Sequence, residues 1–322
     1  MECNPIFVAG AERSGTSLMY ALLASHPRIA MTRRTNFWPY FYRQYGDLSR
    51  NENFECCLAA IMRYKRMLVL EPDPERLRRE FWEGTPSYGR LYHLLQQQHA
   101  ERLGKPRWGD KSLDTERWAD GIFAEYPTAR ILHMIRHPCD RYASAFSRWK
   151  VSRGRAGAGT AAWLTSARLA RRNQQRYPDR YKIVRYEALA AHTETTVREI
   201  CEFLGEAYSP SMLTMIGARK FRDQGGNSSY GRRKPGEVDT GSIGRYRQVM
   251  SERDIKFMQS FAGRYMTGFG YTPDSVNLSL EDRLLYYLLD CPVNFTRMIG
   301  WQAVGLALDH IGRKPSRRRL VA

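Results

Sequence analysis

Acidic residues are scarce in this chain. Its 322 residues carry 33 Asp and Glu against 51 Lys and Arg, for a formal net charge of +18. A surplus of this size calls for an acidic partner: a nucleotide, a nucleic acid, an anionic glycan or an anionic membrane. Cysteine is also sparse, with six in all and no C-x-x-C pair, which excludes a zinc ribbon. Cys56 and Cys57 are adjacent and fit a disulfide framework poorly. No run of about 18 apolar residues occurs, so no segment should span a bilayer. The apolar run after Met1 is only a few residues long, so no secretory leader is expected. These absences predict a reducing, cytoplasmic setting. Internal repeats are absent, and so are RNP, zinc-finger and clear helix-turn-helix signatures, which counts against a specific nucleic-acid partner.

What is present is an alternation of short apolar runs with helical patterns. Pro5 to Ala9 is apolar and closed by Gly10; it reads as a buried parallel strand. Thr16 to Ala24 follows as a helix, with Pro27 beyond its end. Residues 36–103 read as mostly helical and rich in aromatics, among them Phe37, Trp38, Tyr40, Phe41, Tyr42 and Tyr45. These suit packed helix faces, or alternatively a wall against substrate. Arg130 to Ile135 and Tyr181 to Val184 are two further strands. A helix from Pro138 to about Trp149 should follow the first, and one from Glu187 to about Phe203 the second. The pattern predicts an α/β, P-loop-like three-layer fold: a central parallel β-sheet flanked by helices, with extra C-terminal helices. Residues 1–278 would form the main domain, including the insert at 36–103, and residues 279–322 a helical extension with a basic tail. Residues 153–159 and the glycine-rich stretch 222–241 read as loops.

The first chemical signal lies between strand and helix. Gly10-Ala11-Glu12-Arg13-Ser14-Gly15-Thr16-Ser17 has the glycine spacing of a nucleoside-triphosphate loop, but Thr16 stands where such a loop has lysine. A helix N-terminus offers backbone N–H groups and a favourable dipole to an anion. Gly15 lets the backbone come close, Ser14, Thr16 and Ser17 add hydroxyls, and Arg13 supplies the cation. Without the lysine that reaches the terminal phosphates, a kinase-like phosphotransferase is the weaker alternative. The second signal is Arg136-His137-Pro138 through Ser144, again from a strand end into a helix. Arg136 can grip a phosphate with two parallel N–H bonds. On a continuous helix Arg148 would share a face with Ser144.

Together these motifs resemble the sulfotransferases that use 3′-phosphoadenosine 5′-phosphosulfate (PAPS), in particular the bacterial and tyrosylprotein-like branches. Arg13-Ser14-Gly15-Thr16-Ser17 matches the family's 5′-phosphosulfate loop. Arg136 and Ser144 match its 3′-phosphate pair. Looser likeness covers Gly109-Asp110-Lys111, Val184 to Glu187 and Ser242 to Tyr246, within residues 5–272. The resemblance implies transfer of a sulfuryl group from PAPS to a hydroxyl or amine, with adenosine 3′,5′-bisphosphate (PAP) as product and no metal required. It also implies that Lys111 approaches the sulfuryl group, and that Tyr186, Ser229 and Arg245 reach the nucleotide.

The acceptor half departs from the family. Related branches place a glutamate shortly after the His-Pro that ends the first helix, whereas this chain reads Met31-Thr32-Arg33-Arg34-Thr35-Asn36. Asp110, beside Lys111 at a predicted strand end, is the first choice for a general base, with Glu12, Asp114 and His93 as alternatives. Arg33 and Arg34 could bind an anionic acceptor. His26 reads as a helix-end residue, and His133, on a strand, forms no metal pair with His137. Residues 279–312 fit two amphipathic helices on either side of Pro292. These would pack on the core or on a second copy in a homodimer. With the basic Arg313 to Arg319 they would also permit peripheral membrane contact.

Overall fold

A computed structural model of the chain describes residues 4–112, 114–145, 154–218 and 238–311. Five parallel strands form one sheet: β1 (Ile6–Ala9), β2 (Ile29–Arg33), β3 (Arg107–Lys111), β4 (Arg130–Ile135) and β5 (Tyr181–Arg185), in the order β2-β3-β1-β4-β5. β1 is central: Phe7 is in register with Asp110 on one side and Ile131 on the other. Its residues alternate between two cores, as a strand period of two requires. Phe7 and Ala9 face the helical insert, while Ile6 and Val8 face the helix α1 (Thr16–Ala24). Sheet with helices on both faces is the expected architecture. β2 was not expected, and of β3 only its end at Asp110 and Lys111 was. β2 has only three apolar residues in a row, Ile29 to Met31, and β3 contributes Trp108 alone.

The insert is built from helices, chiefly Asn51–Ile61, Pro74–Trp82 and Tyr88–Arg102. Asp73 caps the second by accepting from the backbone N–H groups of Glu75 and Arg76, with Pro74 at its first position, and Ser87 caps the third. Phe37, Trp38, Phe41 and Tyr42 are buried among Phe7, Tyr92 and Trp108. Phe37 stacks on Tyr92 at 4.2 Å and Trp38 meets Phe7 edge-on at 6.1 Å. These aromatics hold the insert to the sheet and form no open wall; Tyr40 is exposed.

Three local expectations are corrected. The helix after β4, α2, ends at Ala143 and not near Trp149. The stretch read as a loop at 153–159 is helical from Arg155, the first residue of a 22-residue helix, α3 (Arg155–Arg176). The segment after β5 is two helices, α4 (Tyr186–Ala191) and Thr193–Leu204.

The extension differs most. Leu280–Leu285, a π-turn at Tyr286–Asp290 and α5 (Cys291–Ile311) run on without a break at Pro292. Proline cannot donate the backbone bond of an ordinary turn, and the wide π-turn immediately before it relaxes that register. α5 lies across α3. Asn294 Oδ1 accepts from the N–H of Gly157 at 2.8 Å. Leu280, Leu284, Leu288, Ile299 and Leu306 are exposed. Among the described residues no helix is long and apolar enough to cross a membrane. Residues 313–319 and most of 222–241 lie outside the described residues.

The crossing depends on Gly157, where a β-carbon would sit 1.9 Å from the Asn294 carbonyl oxygen. Gly157→Ala should therefore cost about 2 kcal/mol in chemical denaturation, as overpacking does. Gly263, helical with nothing within 4 Å, is the control. Gly263→Ala should stabilise by up to about 1 kcal/mol.

Candidate functional site

In a parallel sheet the C-terminal strand ends share one edge, and the loops leaving them form the site. Here the edge carries Gly10, Arg33, Lys111, Arg136 and Tyr186. The loop from β1 to α1 turns tightly, with Ser14 N–H donating to the Ala11 carbonyl at 3.1 Å. Gly10 has φ 125° and Gly15 φ 93°. A β-carbon on Gly10 would lie 2.4 Å from the Met134 carbonyl oxygen, and one on Gly15 2.6 Å from the Tyr186 ring. Both positions therefore require glycine on space and backbone alike. No acidic residue stands in the first turn of α1 and no side chain caps it, which leaves its N–H groups suited to an anion.

The two sequence motifs meet. Arg13 Nε donates to Ser144 Oγ at 3.0 Å. Arg136 donates through Nη1 to the Arg13 carbonyl at 3.3 Å and through Nη2 to the Ser242 carbonyl at 2.8 Å. Its guanidinium lies 4.3 Å above the Tyr186 ring, and Tyr186 Oη is 2.8 Å from Ser242 Oγ. Arg136 is 3% exposed, and its Nε is buried with no partner among the described residues. A buried donor left unpaired costs about 1–3 kcal/mol, so a phosphate oxygen suits this position. Asp140 accepts from the N–H groups of Gly244 and Tyr246 at 2.7 and 3.1 Å. It thereby pins the turn that carries Arg245. Glu187 accepts from His137 N–H at 2.8 Å. Four separate stretches of sequence thus close into one unit. Ser144 caps α2 at its C-terminal end. Arg148 and Ser229 lie outside the described residues.

Lys111 and Asp110 occupy different environments. Asp110 is fully buried, with Thr32 Oγ1 2.9 Å from one carboxylate oxygen and Thr35 Oγ1 3.1 Å from the other. Tyr92 and Gln96 extend this network. Burial raises the Asp110 pKa. The residue joins the ends of β2 and β3 and does not open toward a substrate. Lys111 is also buried, and burial first, then the Arg34 charge, pushes its pKa down to about 8. Arg34 N–H donates to the Lys111 carbonyl at 2.8 Å, and Arg33 is in register with Lys111. His93 accepts from Trp108 Nε1 on an insert helix. His26 Nε2 lies 2.8 Å from the Ala207 carbonyl at the end of α1, a structural place.

A cavity of about 670 Å³ opens beside the phosphate loop. Its lining includes Gly10 to Arg13, Asp114, Glu116, Arg117, Arg141, Tyr142, the first half of α3, and Arg297 and Trp301 of α5. Glu116 is buried; it accepts from Gly10 N–H at 3.2 Å and from Ser166 Oγ at 3.0 Å. Since Ser166 gives its one proton there, it accepts from His133 Nε2 at 3.0 Å. His133 is neutral, its pKa pushed down to about 3 by burial, so Tyr181 donates to Nδ1 at 2.6 Å. Arg141 is buried, its pKa lowered to about 10 by burial, and its Nε has no partner among the described residues. Sequence reasoning missed Glu116, Ser166, Arg297 and Trp301, and passed over Arg141 inside the second motif. None carries a local signature; only the crossing of α3 and α5 brings them to the loop.

The depressed Lys111 pKa has a sign. The unfolded lysine keeps its proton up to about 10.5, while the folded one loses it near 8. Between these values the unfolded state binds more protons, so this residue makes the fold more stable as pH rises. NMR of the isotope-labelled lysine Cε should show a midpoint near pH 8 that Arg34→Gln moves upward. An unmoved midpoint would refute the contribution of Arg34.

No curated protein matches the chain by sequence. Among solved structures, it is similar to the sulfotransferase domain of the Synechococcus PCC 7002 olefin synthase, with TM-score 0.57 and 20% identity over 84% of this chain and 96% of that one. It is likewise similar to the sulfotransferase domain from the curacin biosynthetic pathway, with TM-score 0.55 and 16% identity over 84% and 99%. At such identities these likenesses establish the fold. The family model described as "Sulfotransferase family" matches residues 5–210, more than half of the chain and every strand of the sheet, so the chain belongs to the sulfotransferase family.

Proposed function

We propose that this sulfotransferase takes its sulfuryl group from PAPS and passes it to an acceptor hydroxyl or amine in the cavity beside the phosphate loop. The observation that carries this is the union of two anion sites through Arg13, Ser144 and Arg136. The α1 N-terminus suits the 5′-phosphosulfate. Arg136 with its unpartnered Nε, together with Ser144, suits the 3′-phosphate. Tyr186 and Arg245 stand nearby, where the family resemblance assigns nucleotide contacts. A bond forms from the acceptor oxygen to sulfur as the bond from sulfur to the phosphate oxygen breaks. The electron pair leaves with PAP, and the acceptor proton passes to a base. Charge grows on the leaving phosphate, so preorganised donors are the main catalytic device. Arg13 and Lys111 supply it; a lysine titrating near 8 remains mostly cationic at neutral pH. Asp110, fully buried and not among the residues that line the cavity, positions Lys111. The base is then one of the cavity carboxylates, Glu12, Asp114 or Glu116.

Two measurements test this reading. PAP at about a hundred times its Kd should stabilise the protein by about 2.7 kcal/mol, or roughly 5 °C in Tm for a chain of this size. AMP should not, and Arg136→Ala or Ser144→Ala should abolish the shift. A shift with ATP and Mg²⁺ in place of PAP would transfer the case to a phosphotransferase. For the base, one of Glu12→Gln, Asp114→Asn and Glu116→Gln should lower kcat about a hundred-fold or more with PAP binding intact. Asp110→Asn should instead lower stability. If none of the three lowers kcat, the cavity is not the acceptor site.

A further inference from the structure

The matched family segment ends at residue 210, yet the cavity does not. One wall is α5, which contributes Arg297, Trp301, Val304 and Gly305. Arg117, Arg141 and Arg155 line the same space. From the geometry we infer that α5 is part of the acceptor site, and that the site takes an acceptor with an anionic group on an aromatic or apolar body. This rests on the sulfotransfer reading above and adds the class of acceptor.

The charge balance of the lining is the first argument. The arginines are Arg13, Arg117, Arg141, Arg155 and Arg297, and the acids are Glu12, Asp114 and Glu116. Glu116 is engaged by the Gly10 N–H and the Ser166 hydroxyl, and Asp114 lies 3.4 Å from Arg117. Five arginines against three carboxylates leave a formal positive excess in the described lining of a concave space, where field lines are focused. Arg141 is the second argument. It is 7% exposed and lines the cavity; among the described residues its Nε is buried without a partner, and Nη1 donates to the Gly159 carbonyl at 3.2 Å. A planar guanidinium with a spare donor suits a carboxylate, sulfate or phosphate. The third argument is apolar surface. Ala145, Ala158, Ala161, Ala162 and Val304 line the same space, with Trp301 at the rim. An acceptor that was charge alone would leave these faces wet. α5 is not a loose appendage that closes by chance: the Asn294–Gly157 bond fixes it on α3 at 2.8 Å.

The test is isothermal titration in the presence of PAP with a hydroxynaphthoate and the corresponding naphthol, which differ only in the carboxylate. The hydroxynaphthoate should bind about ten-fold tighter or more, in keeping with charge-assisted hydrogen bonding. Arg297 and Trp301 are exposed at the rim, so their variants should fold. Arg297→Ala should weaken the hydroxynaphthoate several-fold and spare the naphthol; Trp301→Ala should weaken both. PAP affinity, titrated separately, should be unchanged in both variants. Equal affinity for the two probes, or indifference to Arg297→Ala and Trp301→Ala, overturns the inference. Failure of PAP itself to bind the wild type overturns the donor reading instead.

Discussion

Arg136 lies flat on Tyr186, buried, with one nitrogen on the Arg13 carbonyl and another on that of Ser242. A desolvated cation over a ring contributes about 2 kcal/mol, and each hydrogen bond to a charged group about 1.5–3. That is enough to hold a cation out of water, though with little to spare while its Nε has no protein partner. The arginine therefore orders three loops and still has a donor for an anion. Tyr186 also sets the approach of the phosphate loop, since its ring fills the space that a side chain on Gly15 would need.

The carboxylates divide by burial. Asp110 and Glu116 are buried and hydrogen-bonded, one under the ends of β2 and β3, the other under Gly10. Both hold backbone or hydroxyl groups in place around the cations. Glu116 ends a directed chain from Tyr181 through His133 and Ser166, and the direction follows because buried His133 is neutral and Ser166 has one proton to give. A histidine that belongs to no motif thus fixes a serine that also receives the Ala11 N–H of the phosphate loop. The extension acts at a larger scale. It packs on α3 and adds Arg297, Trp301, Val304 and Gly305 to a cavity whose other arginines come from the family segment.

The sequence by itself determined the residues on which the donor reading rests. Gly10, Gly15, Arg13 and Arg136 lie at or just beyond strand ends and Ser144 closes the helix after β4, and local backbone rules suffice to read them: a strand, a tight turn and a helix start leave N–H groups suited to an anion. Strands β1 and β4 were legible for the same reason, being runs apolar enough to be buried on both faces, and the edge strand β5 through its Ile183-Val184 pair. β2 was not, and β3 was legible only at its end, because pairing within the sheet, more than their own residues, makes them strands. Asp110 reads as a base from its place beside Lys111; that Thr32 and Thr35 cover it follows only from the pairing of β2 with β3. The end of α2 at Ala143, the continuity of helix through Pro292 and the crossing of α3 by α5 were likewise settled only in the tertiary structure. The crossing depends on a contact between residues more than a hundred positions apart, Gly157 with Asn294, and no periodicity within one segment encodes which distant surface it will meet.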